Sequence, residues 1–253
     1  MRDRLKKILL VSINILVAVY LVLATTAFNK PDNRHQVCTE VKVTITDNVV
    51  DGFLSDREIR DLLKRHKLYP LGEQLNGVDV RRIEDVLRRS PFVDHAECYK
   101  TQSGKVCITL TQRMPIIRVM ANNGDDYYVD NKGGVMPNVK YVGNLIVATG
   151  NINQKYAKKV LTPIGNHLIS DKFWHQQIEQ LHVLNDGSIE MVPRVGSHVV
   201  YLGQAVGIPE KLKRLYKFYR YGLSKAGWNR YSVISLEFDN QIICKKRKHI
   251  KQS

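Results

Sequence analysis

A metal site needs three or four nitrogen, sulfur or oxygen donors that one fold can converge, and the nearest approach to such a set is His167, His175 and His182. Their intervals of eight and seven residues, with no carboxylate beside them, read as helix-surface histidines rather than ligands. Ser188 follows Asp186-Gly187, yet no G-x-S-x-G elbow surrounds it, so it reads as a turn serine. Carboxylates are paired at Glu84-Asp85 and Asp125-Asp126. The first pair falls on an exposed helix face and the second in a turn, so neither has the apolar surroundings that raise a carboxyl pKa for acid catalysis. Gly133-Gly134 lacks the following helix with Lys and Ser or Thr that a phosphate cradle requires, and reads as a hairpin turn. No residue is nominated as catalytic, metal-binding or cofactor-binding, and binding rather than catalysis is the expected task.

Four cysteines, Cys38, Cys98, Cys107 and Cys244, are too few and too scattered for a disulfide framework. A strand over Phe92–Tyr99 buries Ala96 and Cys98, while one over Lys105–Thr111 buries Val106, Ile108 and Leu110. Cys107 then points away from Cys98, and because cross-strand partners share a face, this pair is expected to be reduced. Cys38 with Cys107, both placed on an outer sheet face, is the alternative pairing. The net charge of +15 suits anionic partners such as lipid headgroups, acidic proteins or nucleic acid.

The elements that would position these residues fall into two groups. In the first, Val41, Val43 and Ile45 alternate along a strand over Val37–Thr46, and Asp51-Gly52 turns the chain. Ser55 with Glu58 forms a capping box ahead of Ile59, Leu62, Leu63 and His66, and a second helix runs from an Asp79 cap through Ile83, Val86 and Leu87 to Ser90, where Pro91 stops it. The two strands bearing Cys98 and Cys107 follow. The order strand, helix, helix, strand, strand predicts a compact unit whose helices cover one face of a three-stranded sheet.

From Met114-Pro115 the chain reads as hairpins: Ile116–Met120, Tyr127–Asp130 and Val135–Pro137 around glycine turns, then an extended run over Asn144–Thr149. Helices are predicted over Asn153–Leu168, kinked or split at Pro163, and over Lys172–Leu181. Strands at Val183-Leu184, Ser188–Val192 and His198–Leu202 precede the longest helix of this region. That helix has Pro209 in its first turn, a stripe of Leu212, Leu215, Tyr216, Tyr219 and Leu223, and Lys211, Lys213, Lys217 and Arg220 on the opposite face, with Gly227 closing it. Strands over Ser232–Phe238 and Gln241–Arg247 end the fold. A terminal strand is a candidate sheet edge with unpaired backbone groups, unless its own lysines blunt it.

Ahead of all this stands Ile8–Phe28, 21 residues without charge, flanked by Arg2, Arg4, Lys6 and Lys7. As a helix it would be about 31 Å long, enough for the hydrocarbon core of a bilayer, with the basic flank held on the cytoplasmic side. The reading is an uncleaved type II anchor. A cleaved signal peptide is the rival, with Thr25-Thr26-Ala27 as the cleavage site, but the apolar run exceeds the usual signal core of about 7–15 residues. An exported long helix is not expected to bind nucleic acid, whatever its lysines and tyrosines suggest.

The chain resembles the FtsQ/DivIB family of bacterial cell-division proteins. The resemblance is carried by the basic segment and single anchor, by Ser90-Pro91-Phe92-Val93-Asp94 leading to Leu110-Thr111-Gln112-Arg113-Met114-Pro115, and by Tyr128-Val129-Asp130 with Gly133-Gly134. Further on it rests on Val200-Tyr201-Leu202-Gly203 with Lys211-Leu212, and on Ile234–Phe238 with Gln241–Cys244. It implies an α+β protein: residues 1–7 cytoplasmic, 8–28 a transmembrane helix, 29–36 a linker, 37–113 a POTRA domain (β-α-α-β-β), 114–247 a β domain with helices on an antiparallel-rich sheet, and 248–253 a polar tail. It also implies a non-enzymatic scaffold of the divisome in the inner membrane. Its exported part would be periplasmic, enriched at the septum and bound to FtsB/FtsL-type subunits and the septal peptidoglycan synthesis machinery. Partner strand addition at the terminal edge would involve Tyr231, Phe238, Gln241, Ile242, Ile243 and Cys244, with Trp228 nearby. Many relatives have Arg before the aromatic residue of the penultimate strand; this chain has Glu237, so the charge pairing with an acidic partner residue is reversed or lost. The alternative is a POTRA-bearing assembly or secretion component. Proline at Ile243 is expected to remove a donor from the free edge.

Overall fold

The computed structural model describes residues 2–27, 36–46, 54–139 and 144–247, with side chains left undescribed at 2–9 and 26–27. The Asp51-Gly52 turn, the linker apart from Gln36, and the tail at 248–253 lie outside the described residues. Helix α1, Arg2–Ala27, carries exposed apolar side chains from Leu10 to Leu23 with no polar face. Among the described residues no helix is long and apolar enough to cross a membrane.

Two compact units follow. In the first, strand β1 (Glu40–Ile45), helices α2 (Asp56–Arg65) and α3 (Val80–Arg88) and strands β2 (Val93–Lys100) and β3 (Lys105–Gln112) make a sheet ordered β1-β3-β2. The parallel β1–β3 register sets Val41 against Val106 and Val43 against Ile108. The helices form where the sequence marks them: Asp79 accepts from the backbone N–H of Arg82 at 3.0 Å, and the apolar stripes bury Ile59 and Leu63 on α2 and Ile83 and Leu87 on α3. Ala96 and Cys98 are buried while Cys107 is half-buried on the other face, and burial pushes the Cys98 thiol up to about 12.

Cys38 corrects its expected outer position: it is only 1% exposed and is a free thiol, as is Cys107. Strand alternation begins at Glu40, not Val37. Before it, the backbone bends against the turn after α2, where Cys38 N–H donates to Glu73 O (2.8 Å) and Gly72 N–H to Cys38 O (2.9 Å), so strand parity does not reach Cys38.

The second unit is a nine-stranded mixed sheet. Its strands are β4 (Pro115–Ala121), β5 (Asp126–Asp130), β6 (Val135–Pro137), β7 (Ile146–Gly150), β8 (Ile178–Val183), β9 (Ile189–Pro193), β10 (Val199–Gly203), β11 (Tyr231–Ser235) and β12 (Ile243–Lys246), ordered β12-β11-β10-β9-β8-β7-β4-β5-β6. Pairs β4–β7, β7–β8 and β10–β11 are parallel and the other five antiparallel. Parallel neighbours need long crossovers, and helices supply two of them. Between β7 and β8 the chain passes through α4 (Gln154–Tyr156), a π-turn at Ala157–Leu161, α5 (Thr162–Ser170) and α6 (Lys172–Gln177). Between β10 and β11 it passes through α7 (Ile208–Phe218), a π-turn at Tyr219–Leu223 and α8 (Ser224–Ala226). Helical Ile164, Leu168, Trp174, Leu212, Leu215 and Tyr219 share one core with Ile117, Ala148, Leu181, Met191, Val200 and Ile234 of the strands.

Pro163 splits the first helix as expected: it stands in the first turn of α5, the π-turn just ahead of it widens the backbone, and Thr162 Oγ1 donates back to Ala157 O at 3.0 Å. One local expectation changes. The helix expected over Lys172–Leu181 stops at Gln177. Trp174, Ile178 and Leu181 fit a helical stripe, but from Ile178 the chain pairs with β7 and β9, and a register shift between Ile178 and Gln180 lets Ile178 and Leu181 both be buried in the strand. Gly150 permits the closest approach in this pairing: at φ +104°, a Cβ there would stand 2.1 Å from Val183 O.

Candidate functional site

Among the described residues, strand β12 pairs with β11 alone and closes the sheet at its C-terminal edge. The register sets Ser235 against Ile243, Ile234 against Cys244, Val233 against Lys245 and Tyr231 against Lys246, with a bulge in β11 at Ser232. Backbone groups alternate sides along a strand. Leu236 N–H donates to Tyr201 O of β10 (2.8 Å), so Ser235 faces β12; Arg247 N–H donates to Arg230 O (3.0 Å), so Arg247, Lys245 and Ile243 face inward. Ser232 Oγ agrees, donating to Lys245 O at 3.2 Å. The outward-facing amides of β12 are therefore those of Cys244 and Lys246. This corrects the expectation for Ile243, whose amide belongs to the β11–β12 ladder; proline there would break the protein's own pairing before it affected a partner.

The six sequence-predicted residues do not all sit on the edge. Ile243 (49% exposed) and Cys244 lie on β12, Cys244 half-buried against the core with its thiol pushed up by that burial. Tyr231 opens β11 with its ring turned onto the core, 6.2 Å from the Phe218 ring. Gln241 and the half-buried Ile242 precede β12, and Phe238 (50% exposed) lies in the turn joining the two strands. Glu237, in the same turn, is exposed.

Helix α7 holds this hairpin through contacts the sequence did not announce. Lys211, expected on the exposed face, is 6% exposed; its Nζ donates to Leu202 O (2.7 Å) and Gln204 O (2.9 Å) where β10 leaves the sheet. Its neighbour Leu212 and the residue one turn on, Leu215, are buried, so the Lys211 stem starts at the rim of the apolar stripe and its ammonium is satisfied inward by these two carbonyls. Desolvation holds its pKa below the ordinary lysine value. Lys213, Lys217 and Arg220 remain exposed as expected. One turn further, Arg214 donates to Leu236 O at 3.0 Å and approaches Asp239 at 3.6 Å. Two cations of one helix thus fix the C-terminal ends of β10 and β11.

Behind the other end of the hairpin, the buried His198 ring is hydrogen-bonded through Nε2 to Tyr219 Oη at 2.7 Å, and Trp228 packs 5.1 Å from the Tyr219 ring. Desolvation holds His198 below the ordinary histidine value, aided by the cationic Arg247. At the far side of the sheet Asp130, 2% exposed, accepts from Gly134 N–H (2.6 Å) and Lys132 N–H (2.8 Å), with the Arg113 guanidinium 3.5 Å away. It is a turn-forming carboxylate spent on backbone amides. Among the described residues no group of three or more His, Cys, Asp or Glu side chains could hold a metal ion.

Residues 114–245 match the family model described as FtsQ/DivIB, C-terminal related, and residues 36–111 match one described as a POTRA-like domain. No curated protein matches the chain.

Proposed function

The chain belongs to the FtsQ/DivIB family, and on that premise we propose that it is a non-enzymatic, single-pass membrane scaffold of the bacterial divisome. In this reading residues 8–28 form the anchor, the basic flank stays in the cytoplasm, and the POTRA-like and C-terminal units lie in the periplasm at the division septum. The C-terminal unit binds FtsB/FtsL-type subunits and so helps control septal peptidoglycan synthesis. The supporting observation is the position of β12: a four-residue strand with one neighbour, two outward amides, and an exposed Ile243 beside them. An extended partner segment can continue such a ladder, drawing affinity from the backbone and selectivity from side chains on the sheet faces. Cross-linking the full chain in dividing cells tests the reading. Recovery of septal subunits joined through residues 242–246 supports it; recovery of outer-membrane barrel proteins instead would transfer the chain to an assembly role.

A further inference from the structure

A recess of about 700 Å³ opens where the turn after α8 meets the C-terminal end of β12, lined by Trp228, Asn229, Arg230, Lys246 and Arg247 together with the backbone of Ala226-Gly227. Its polar side chains are donors. Asn229 Oδ1 already accepts from Ser197 Oγ (3.1 Å), which leaves the Asn229 amide nitrogen as its free polar group. Arg247 is braced, its guanidinium donating to Ser197 O and its backbone N–H to Arg230 O. Arg230 and Lys246 have no ion-pair partner among the described residues, and no carboxylate lines the recess. Trp228 forms an apolar wall whose position is set by packing on Tyr219 and His198.

Arg230, Lys246 and Arg247 line a recess to which no carboxylate contributes, and the ligand such a lining favours is an anion with several acceptor oxygens. We propose that this recess binds a phosphate-bearing ligand, the phosphate held by Arg230, Lys246 and Arg247 and its organic substituent laid against Trp228. The volume exceeds that of one phosphate, which favours a phosphodiester or phosphomonoester with an attached group over a bare ion. A lipid headgroup and a soluble phosphate ester share this chemistry. The recess shares Lys246 with the free side of β12, but it uses side chains whereas strand addition uses backbone amides, so a substitution at Arg230 tests the recess apart from the strand edge.

The test uses the full chain in neutral detergent with glycerol 3-phosphate as probe, read by ³¹P line broadening. Saturable binding is expected, weakened about tenfold or more by Arg230→Ala and largely kept by Arg230→Lys, as loss of a charge-assisted hydrogen-bonding group predicts. Repeating the titration in nanodiscs of phosphatidylglycerol or phosphatidylcholine distinguishes the sources. Competition by the anionic bilayer alone supports a lipid headgroup, and equal binding in both supports a soluble ester. Non-saturable broadening, or unchanged binding in Arg230→Ala, overturns the proposal. So does displacement of the probe by a glutamate-rich peptide that binds more tightly, which would make the recess a protein contact.

Discussion

If a partner reads the backbone of β12, proline should act according to which side of the strand loses its N–H. Lys246→Pro removes one of two outward amides and leaves the β11–β12 ladder intact, because the Lys246 amide faces away from β11. A lost backbone hydrogen bond is worth about 0.5–1.5 kcal/mol net, so partner affinity should fall by roughly 2- to 12-fold, and further where the pyrrolidine ring obstructs the incoming strand. Ile243→Pro removes an inward amide and leaves the Ser235 carbonyl opposite it without its partner. That should cost about 1–3 kcal/mol of stability, and affinity should fall only as far as the hairpin detaches. Lys246→Ala is the control for the side chain. Binding of a purified FtsB-type subunit to the full chain in detergent, measured at equilibrium beside a thermal melt of each variant, separates the two effects. The expected pattern is a normal melt with weakened binding for Lys246→Pro and a lowered melt for Ile243→Pro. Equal losses of binding at equal melting temperatures, or full reproduction of the Lys246→Pro effect by Lys246→Ala, would refute backbone-directed recognition at this edge.

Three other outcomes follow from buried groups. Lys211→Met keeps the apolar stem but strips donors from Leu202 O and Gln204 O, so the second unit should lose about 2–4 kcal/mol, a fall of roughly 6–12 °C in its melting midpoint, whereas Lys213→Met should change it little. His198 is held neutral below its ordinary value of 6.5, so the unfolded chain takes up a proton first. Stability should decline as pH falls below 6.5 and level off only past the lowered folded value, and melts from pH 7.5 to 5 should show a shallower decline for His198→Phe. The Cys98 thiol, pushed up to about 12, is thiolate in about one molecule in ten thousand at pH 8. Iodoacetamide mapped by mass spectrometry should therefore modify the half-buried Cys107 well before Cys98, and equal rates would contradict the burial that raises Cys98.

Much of this protein was legible along the chain because the governing interactions are local. Asp79 caps α3, Pro91 stops the chain after it, and glycine turns set the hairpins between β4, β5 and β6; each acts within a few residues. Periodicity likewise placed Leu212, Leu215, Tyr219 and Leu223 on one stripe and Cys98 and Cys107 on opposite faces of their strands. Residues 178–183 resisted the same reasoning, since Ile178 and Leu181 stand at helical spacing and share the core of a strand only through the register shift between Ile178 and Gln180 in its pairing with β9. Lys211 resisted it because a lysine's charge predicts exposure, and only the carbonyls at the end of β10 make burial tolerable. The sequence could nominate the last strand as an edge and Ile243 as a residue upon it. Which amides of that strand are free depends on its register with β11, a relation between segments separated by a turn, and so it was decided only when the hairpin closed.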